Sequence, residues 1–208
     1  MPEHSENTIM TSKNIQATNF NKDNIRSIRY MPPWNQNSGT GISGLINMCF
    51  DIYLLNPKAS SWVEIGSYVG ESALIFAAFP FVKELNCVDP MVLGKRTDLE
   101  ESFRERLKYF MKPFWPKVDL HLETSEEYSK KVANNSIDVV YIDGNHDYPC
   151  VLNDLDLWYP KLRSGGFLCG HDYQNTHKGV DKALEEFVDH HGLEIFKTYG
   201  DHSFMVRV

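Results

Sequence analysis

Residues 64–72 of the chain read Glu-Ile-Gly-Ser-Tyr-Val-Gly-Glu-Ser. They continue the apolar run Trp62–Ile65, which is typical of a buried strand, and they lead into Glu71–Phe79, which has the composition of a short helix. Glycines at positions 66 and 70 permit a tight turn between these elements and a close approach of the backbone to a ligand. The stretch therefore predicts a strand–turn–helix unit of an α/β sheet.

The rest of the chain continues this alternation of short apolar runs and amphipathic stretches. Further strands are predicted at residues 84–88, 118–122, 137–142, 167–169, 193–199 and 203–208. Helices are predicted at residues 39–55 and 95–110, from Pro149 onward, and over Val180–Val188, while Ser164–Gly166 is predicted to be a turn. The pattern predicts a Rossmann-like α/β fold with a mainly parallel seven-stranded sheet, helices on both faces and an antiparallel C-terminal hairpin.

The composition limits the domain organisation and the classes of partner. The 208 residues suit one domain, which we predict at 36–208, preceded by a polar tail or lid at 1–35. The net charge of −7 argues against a nucleic-acid partner, and no apolar run is long enough to span a membrane. The four cysteines form no CxxC pair, which predicts reduced thiols in a cytoplasmic protein.

The spacing of the glycines and of the following acidic residues indicates the kind of ligand. A dinucleotide site would prefer G-x-G-x-x-G, whereas this chain has E-x-G-x-x-x-G with Glu71 at the helix start. An acid at that position disfavours phosphate and suits an amino group or a sulfonium. Asp89 closes the second strand 23 residues after Gly66, where a carboxylate can bind ribose hydroxyls. Each feature alone fits a turn or a loop cap, but together they favour a nucleoside site.

Four motifs in this order resemble those of class I S-adenosylmethionine-dependent methyltransferases, of the catechol-O-methyltransferase-like and bacterial small-molecule O-methyltransferase kind. They are Glu64-x-Gly66-x-Tyr68-x-Gly70-x-Ser72, Tyr141-Ile-Asp-Gly-Asn-His-Asp-Tyr148, Leu162-Arg-Ser-Gly-Gly-Phe167 and Gly170-His-Asp-Tyr173. The resemblance covers about residues 60–190. It implies methyl transfer from S-adenosylmethionine to a small-molecule acceptor, as O-methylation of a hydroxyl group.

The resemblance also implies the residues that bind the cofactor. The methionine end would be surrounded by Glu64, Gly66, Ser67, Tyr68, Gly70 and Ser72. Asp89 would hold the ribose, the loop 123–126 would border the adenine with Ser125 in contact, and Asp143 would lie beside the cofactor.

A divalent metal is a further implication of the resemblance, carried by Asp143, His171 and Asp172. In the metal-dependent relatives, the matching positions hold a magnesium that binds the acceptor hydroxyls. This chain has His171 where an acid is common, and an imidazole is a better ligand for Mn²⁺ than for Mg²⁺. Metal-free function, in which His171 and Asp172 bind the neighbouring loops, stays equally open.

Asp143 and His146 are the predicted catalytic residues. His146 lies three residues after Asp143, where the metal-dependent relatives have a catalytic lysine. An imidazole with a pKa of about 6.5 is a general base at neutral pH, although a structural histidine fits the loop equally well. The other histidines of the C-terminal part are interpreted as surface residues: His177, His190, His191 and His202.

Two other functions remain open from the residues alone. A non-catalytic protein that binds the nucleoside would carry the same cofactor motifs. The string Gly144–Asp147 (GNHD), with Asp119-x-His121, also matches parts of a metallophosphoesterase signature, although the middle GD-x-x-D segment is missing. The acceptor and the oligomeric state, including a homo-oligomer, are left open. Candidate residues for an acceptor pocket are Met31, Trp34, Tyr148, Tyr173 and the loop 91–98.

Overall fold

The computed structural model describes residues 43–68, 70–91, 105, 108–109, 112–114 and 116–208. Several predictions lie outside these residues: the tail or lid at 1–35 with Met31 and Trp34, the start of the helix predicted from residue 39, most of the helix predicted at 95–110, and the loop 92–98.

Among the described residues, helices and strands alternate as predicted. In chain order they are α1 (Ser43–Leu55), β1 (Ser61–Ile65), α2 (Glu71–Ala78), β2 (Glu84–Val88), a 3-10 turn (Lys112–Phe114), β3 (Val118–His121), α3 (Ser125–Ser129), β4 (Ile137–Ile142), α4 (Tyr148–Trp158), a second 3-10 turn (Tyr159–Lys161), β5 (Leu162–Gly170), α5 (Lys178–His191), β6 (Ile195–Thr198) and β7 (Phe204–Arg207).

The strands form one seven-stranded sheet in the order β3-β2-β1-β4-β5-β7-β6. The first five strands in the chain are parallel, and β7 runs antiparallel to both β5 and β6, as the sequence predicted. The chain moves outward from β1 to β3 and then returns to β4 on the other side of β1. Ligands bind at the carboxyl ends of strands beside such a reversal, here the ends of β1 and β4.

Two hydrophobic cores cover the two faces of the sheet because alternate residues of each strand point in opposite directions. In β1, Trp62 belongs to the core beneath α1 and α2, whereas Val63 belongs to the core beneath α4 and α5. Burial on both faces explains why the central strands read as nearly continuous apolar runs. It also makes a charged side chain within them, such as Glu64 in β1, unusual.

Two local predictions were wrong. Ser164–Gly166, predicted to be a turn, lies inside β5, where Gly165 has a φ of 80° and donates a hydrogen bond to Val208 O at 2.7 Å. The glycines there accommodate an irregular register rather than a chain reversal. The predicted loop 123–126 contains the start of α3, because Thr124 and Glu127 form a reciprocal capping box.

The start of α1 is fixed to the turn between β6 and β7. Asp201 is 7% exposed, and its carboxylate accepts a hydrogen bond from the Leu45 N–H at 2.7 Å. A Cβ atom at Gly44 would lie 1.9 Å from that carboxylate, so the contact requires glycine. None of the described helices has both the length and the apolar character needed to span a bilayer.

Candidate active site

A cleft of about 1080 Å³ lies at the carboxyl ends of β1, β2 and β4. The predicted site residues in its wall are Gly66, Ser67, Tyr68, Ser72, Asp89, Ser125, Asp143 and His146. Four other predicted site residues are not among those that line the cleft: Glu64, Gly70, His171 and Asp172. The structure therefore brings Gly66, Asp89 and Asp143 to one cleft.

The β1–β2 half of the site is the part formed by residues 64–72 and Asp89. The β4–β5 half is the part formed by Asp143, His146, His171 and Asp172.

Gly66 joins the two halves by direct backbone contact. Its φ is 87°, and a Cβ atom there would lie 2.1 Å from Asp143 O. The Asp143 N–H donates to Ile65 O at 2.8 Å, which ties the end of β4 to the end of β1. This close approach joins the end of β1 to the end of β4, while the predicted approach of the turn to a ligand stays a prediction. Gly70, with a φ of 81°, precedes α2 and donates its N–H to Ser67 O.

Glu64 is a completely buried acid behind the cleft wall. Burial raises the pKa of Glu64 to about 7, against the hydroxyl groups of Ser67 and Ser72, which lower it. Ser72 Oγ donates a hydrogen bond to Oε1 of Glu64. Among the described residues, neither Oε2 of Glu64 nor Oγ of Ser67 has a partner with hydrogen-bond geometry. Buried polar atoms of this kind need a further partner, such as a water, an ion or a ligand group.

Asp89 organises the loops at the end of β2. Its Oδ2 accepts the Tyr68 N–H and its Oδ1 accepts the Met91 N–H, each at 2.7 Å. Asp89 therefore caps the loops, which is one of the two roles predicted for it, and it also lines the cleft. Each carboxylate oxygen can accept a second hydrogen bond, so the two functions are compatible.

The far end of the cleft is built on α3 and α4. Ser125 Oγ accepts a hydrogen bond at 2.8 Å from Nε1 of Trp158, a completely buried side chain. Asp154, which the sequence analysis did not select, is 7% exposed in the cleft wall, and its carboxyl group is paired with Ser125. Burial raises the pKa of Asp154, and the bond to Ser125 opposes that shift. Its spacing within α4 resembles that of the core residues, so no separate pattern along the chain marks it.

The β4–β5 half is a network of carboxylates and imidazoles. His146 Nε2 lies 2.8 Å from Oδ2 of Asp172 and 3.5 Å from Oδ1 of Asp143. The carboxylates of Asp143 and Asp172 raise the pKa of His146 to about 10, although partial burial opposes the shift. A raised pKa favours the protonated imidazolium form of His146, whereas a general base needs the neutral imidazole.

Asp143, His171 and Asp172 can each bring one ligand atom within 4.8 Å of the others, as the metal prediction requires. Burial raises the pKa of Asp143. The pKa of His171 is also raised: burial lowers it, but the carboxylates of Asp172 and Asp143 raise it by more. Two carboxylates and an imidazole form a donor set that fits a divalent ion and favours Mn²⁺ over Mg²⁺. Asp172 has a φ of 63° and is 7% exposed, so the loop holds it in an uncommon backbone conformation.

His177 is exposed, as predicted for a surface histidine, and it also contacts this network. Its ring is exposed, but it stacks on the ring of His146 with 4.3 Å between centroids. Gly179 makes this possible, because a Cβ atom there would lie 2.3 Å from His146 O. Only the packing of one loop on another reveals the pair, since 31 positions separate the two residues along the chain.

The sheet topology excludes the metallophosphoesterase site that the sequence partly matched. Asp119 and His121 lie on β3, which is separated from β4 and Gly144–Asp147 by β2 and β1. His121 Nε2 instead lies 2.9 Å from Asn86 Oδ1, and its ring stacks on Tyr128. The two parts of that signature therefore do not meet in one site.

Comparison with protein families and curated proteins gives two matches. A family model described as a methyltransferase domain matches residues 63–173. An uncharacterized protein of Acanthamoeba polyphaga mimivirus is 28% identical over an alignment of 126 residues, with 55% of this chain and 52% of that protein covered. The chain thus spans about half the length of this curated relative.

Solved structures with the same fold include the O-methyltransferase NovP, at a TM-score of 0.62 and 16% identity, with 80% of each chain covered. A protein of Corynebacterium glutamicum has a TM-score of 0.59 and 17% identity, covering 96% of this chain and 91% of that one. Spermidine synthase of Thermotoga maritima has a TM-score of 0.54 and 16% identity, covering 79% of this chain and 58% of that one. At these identities the likeness concerns the Rossmann-like fold.

Proposed function

We propose that this chain, which belongs to the methyltransferase domain family and has a Rossmann-like fold, transfers a methyl group from S-adenosylmethionine to the hydroxyl group of a small molecule. The observation that carries the proposal is the shared cleft. Ser67 and Ser72 line one end, beside the buried carboxyl group of Glu64, and Asp143 and His146 line the other, beside His171 and Asp172.

The β1–β2 half suits the cofactor. In the proposal, the free oxygens of Glu64 and Ser67 attract the positively charged methionine end, which carries an ammonium group and a sulfonium. Tyr68, Gly66, Gly70 and Ser72 shape this end through the turn before α2. Binding a cation beside Glu64 would also favour its ionised form.

The remainder of the cofactor would lie along the cleft away from Glu64. Asp89 accepts hydrogen bonds from the ribose hydroxyls with its remaining lone pairs, which leaves its two bonds to the backbone intact. The adenine lies against Ser125, whose hydroxyl group Trp158 and Asp154 hold in position. In the proposal Asp143, which lines the cleft, lies between the cofactor and the acceptor.

The β4–β5 half suits an oxygen acceptor. Asp143, His171 and Asp172 would hold a divalent cation, which when bound lowers the pKa of an acceptor hydroxyl and neutralises the two carboxylates around His146. A bound cation would in this way also lower the pKa of His146 toward the range of a base. In the proposal His146 takes the hydroxyl proton at Nε2, the ring nitrogen that faces Asp172 and Asp143.

Methyl transfer in this arrangement is an in-line displacement. The acceptor oxygen forms a bond to the methyl carbon while the carbon–sulfur bond breaks, and sulfur keeps the electron pair as a neutral thioether. The chain contributes mainly by holding the two reactants in contact, which can supply up to about 7–11 kcal/mol of the barrier reduction. The backbone contact between Gly66 and Asp143 fixes the distance between the two halves.

The cofactor assignment is tested by calorimetry with S-adenosylhomocysteine. We expect binding by the wild-type chain and at least about tenfold weaker binding by Asp89→Ala, equivalent to about 1.4 kcal/mol. Asp156→Ala, an exposed acid on α4, is the matched control and should bind as the wild type does. Absence of binding to the wild-type protein would refute the assignment.

The acceptor and metal assignments are tested by methyl transfer to a panel of small hydroxylated compounds. We expect transfer with Mn²⁺ and its loss after chelation. Binding of S-adenosylhomocysteine without transfer to any acceptor would instead support a non-catalytic binding protein. With an acceptor identified, His146→Ala should lose the pH dependence of the rate that a base imposes; full turnover with an unchanged pH profile would remove that role.

A further inference from the structure

Asp172 lies between two groups of metal-binding side chains. One is the Asp143–His171–Asp172 set described above. In the other, His146, Asp172 and His177 each offer a ligand atom, and these atoms also lie within 4.8 Å of one another. Two imidazoles and one carboxylate are a common donor set for Zn²⁺, Mn²⁺ or Fe²⁺.

The two oxygens of Asp172 point to different groups. Oδ1 lies 3.4 Å from Nδ1 of His171, whereas Oδ2 lies 2.8 Å from Nε2 of His146. Asn175 Nδ2 donates a hydrogen bond to Oδ1 at 2.7 Å, which fixes the carboxylate plane. Such hydrogen bonds to a ligand group are typical of metal sites, where they hold the ligand in its coordinating orientation.

The second group depends on contact between two loops. Gly179 lies against the backbone of residues 146–148, where any larger side chain would collide, and this contact keeps His177 beside His146. The rings are stacked with an interplanar angle of 25°, so both cannot point at one ion without movement. Ligands of a tetrahedral ion with bonds of about 2.1 Å are about 3.4 Å apart. The ring of His177 is exposed and can turn toward such an arrangement. His146 is half-buried and Asp172 is buried, so both have less room to move.

We propose that His146, Asp172 and His177 form a second divalent-metal site, with Asp172 shared between both sites, and that it takes a transition-metal ion such as Zn²⁺ in preference to Mg²⁺. The preference follows from the two nitrogen ligands, since Mg²⁺ requires mostly oxygen. The site is the weaker of the two for Mn²⁺ because His177 must first leave its stacked position.

Occupation of the second site has a consequence that rests on the proposed function. Nε2 of His146 is the atom that would take the acceptor proton; it faces Oδ2 of Asp172 at 2.8 Å, so in the proposed second site it is also the ligand atom. One nitrogen cannot do both. Filling the second site therefore removes the base and inhibits methyl transfer, so the activity should rise and then fall with increasing Zn²⁺ at constant Mn²⁺.

Metal binding is measured by equilibrium dialysis of the tag-free chain against Zn²⁺, with elemental analysis of the bound metal. We expect two ions per chain for the wild type, one for His177→Ala and two for His190→Ala, an exposed histidine near the other end of α5. Cobalt absorption spectra of the same variants identify the ligands. A second, intense ligand-field band should be present in the wild type and absent in His177→Ala.

Two results would overturn the proposal: a single ion in the wild-type chain, or two ions in His177→Ala. A thiolate-to-cobalt band would assign the second ion to Cys150, which also lines the cleft, and would overturn it as well. Because His177 is exposed, its removal leaves the fold intact, which circular dichroism checks. Calorimetry with S-adenosylhomocysteine on each variant separates failure of this proposal from failure of the cofactor assignment.

Discussion

The β1–β2 half of the cleft is shaped by backbone geometry, whereas the β4–β5 half is shaped by charge. In the first half, Gly66 and Gly70 have left-handed φ angles and Asp89 binds two backbone N–H groups. In the second half, His146 and Asp172 attract each other across loops that touch through Gly179. Backbone geometry tolerates few residue types at a position, while a charge network can be rearranged by one proton or one ion.

This difference predicts how the halves respond to substitution. Changes in the β1–β2 half should alter stability and cofactor affinity together, since the same contacts serve both. Changes in the β4–β5 half should alter metal binding and methyl transfer while cofactor affinity stays constant. The four substitutions below test this separation, from the largest expected effect to the smallest.

Gly66→Ala should be the most damaging substitution. Its Cβ atom would overlap Asp143 O, so we expect the free energy of unfolding to fall by about 4 kcal/mol and cofactor affinity to fall at least about a hundredfold. Gly165→Ala is the matched control, because it has a similar φ of 80° and open space around it. That control should lose only about 1 kcal/mol in urea unfolding. Equal losses in the two variants would contradict a steric requirement at residue 66.

Asp172→Asn should separate the two halves most clearly. Removing the shared carboxylate charge should lower methyl transfer at least about a hundredfold, while the affinity for S-adenosylhomocysteine stays within about twofold. The exposed Asp156→Asn variant removes a charge elsewhere and should change neither quantity. Parallel loss of transfer and cofactor affinity would break the comparison.

Glu64→Gln should produce a pH-dependent change in stability. The folded-state pKa of about 7 lies above the ordinary value of 4.5, so the stabilising contribution of Glu64 is complete below pH 4.5 and is lost as pH rises through 7. Glutamine lacks this loss. The stability of the variant relative to the wild type should rise by about 2 kcal/mol between pH 5 and pH 8, measured by urea unfolding.

The same variant should bind the cationic cofactor more weakly at pH 8, where the wild-type carboxylate is ionised. Glu194→Gln, at an exposed position, is the control and should show no relative change with pH. A variant that is equally destabilised at both pH values would mean that Glu64 is ionised throughout this range.

Ser125→Ala should have the smallest effect. It leaves Nε1 of the buried Trp158 without its acceptor, which should lower the free energy of unfolding by about 1–2 kcal/mol and cofactor affinity by about threefold. Ser136→Ala, whose hydroxyl group donates to Ala133 O at an exposed position, should stay within about 0.5 kcal/mol. An unchanged cofactor affinity would remove Ser125 from the adenine contacts.

The elements were predictable where local pattern and burial agree. The strand periods at 84–88 and 137–142 and the terminal hairpin are confirmed, because an α/β sheet buried on both faces imposes a long, regular apolar pattern. The predictions failed where the local composition is compatible with two kinds of secondary structure. Ser164–Gly166 has turn composition but lies in a distorted strand, and the capping box at Thr124 was interpreted as a loop.

The sequence alone determined which functional residues end each strand: a glycine turn after the first, Asp89 after the second and Asp143 after the fourth. Parallel strands bring these residues to one edge of the sheet. Only the tertiary structure decided that Gly66 contacts Asp143, that His146 carries a raised pKa, and that His177 stacks on it. The physical reason is range. Backbone geometry and periodicity are local properties of a sequence, whereas electrostatic and packing contacts depend on distances between loops that are remote along the chain.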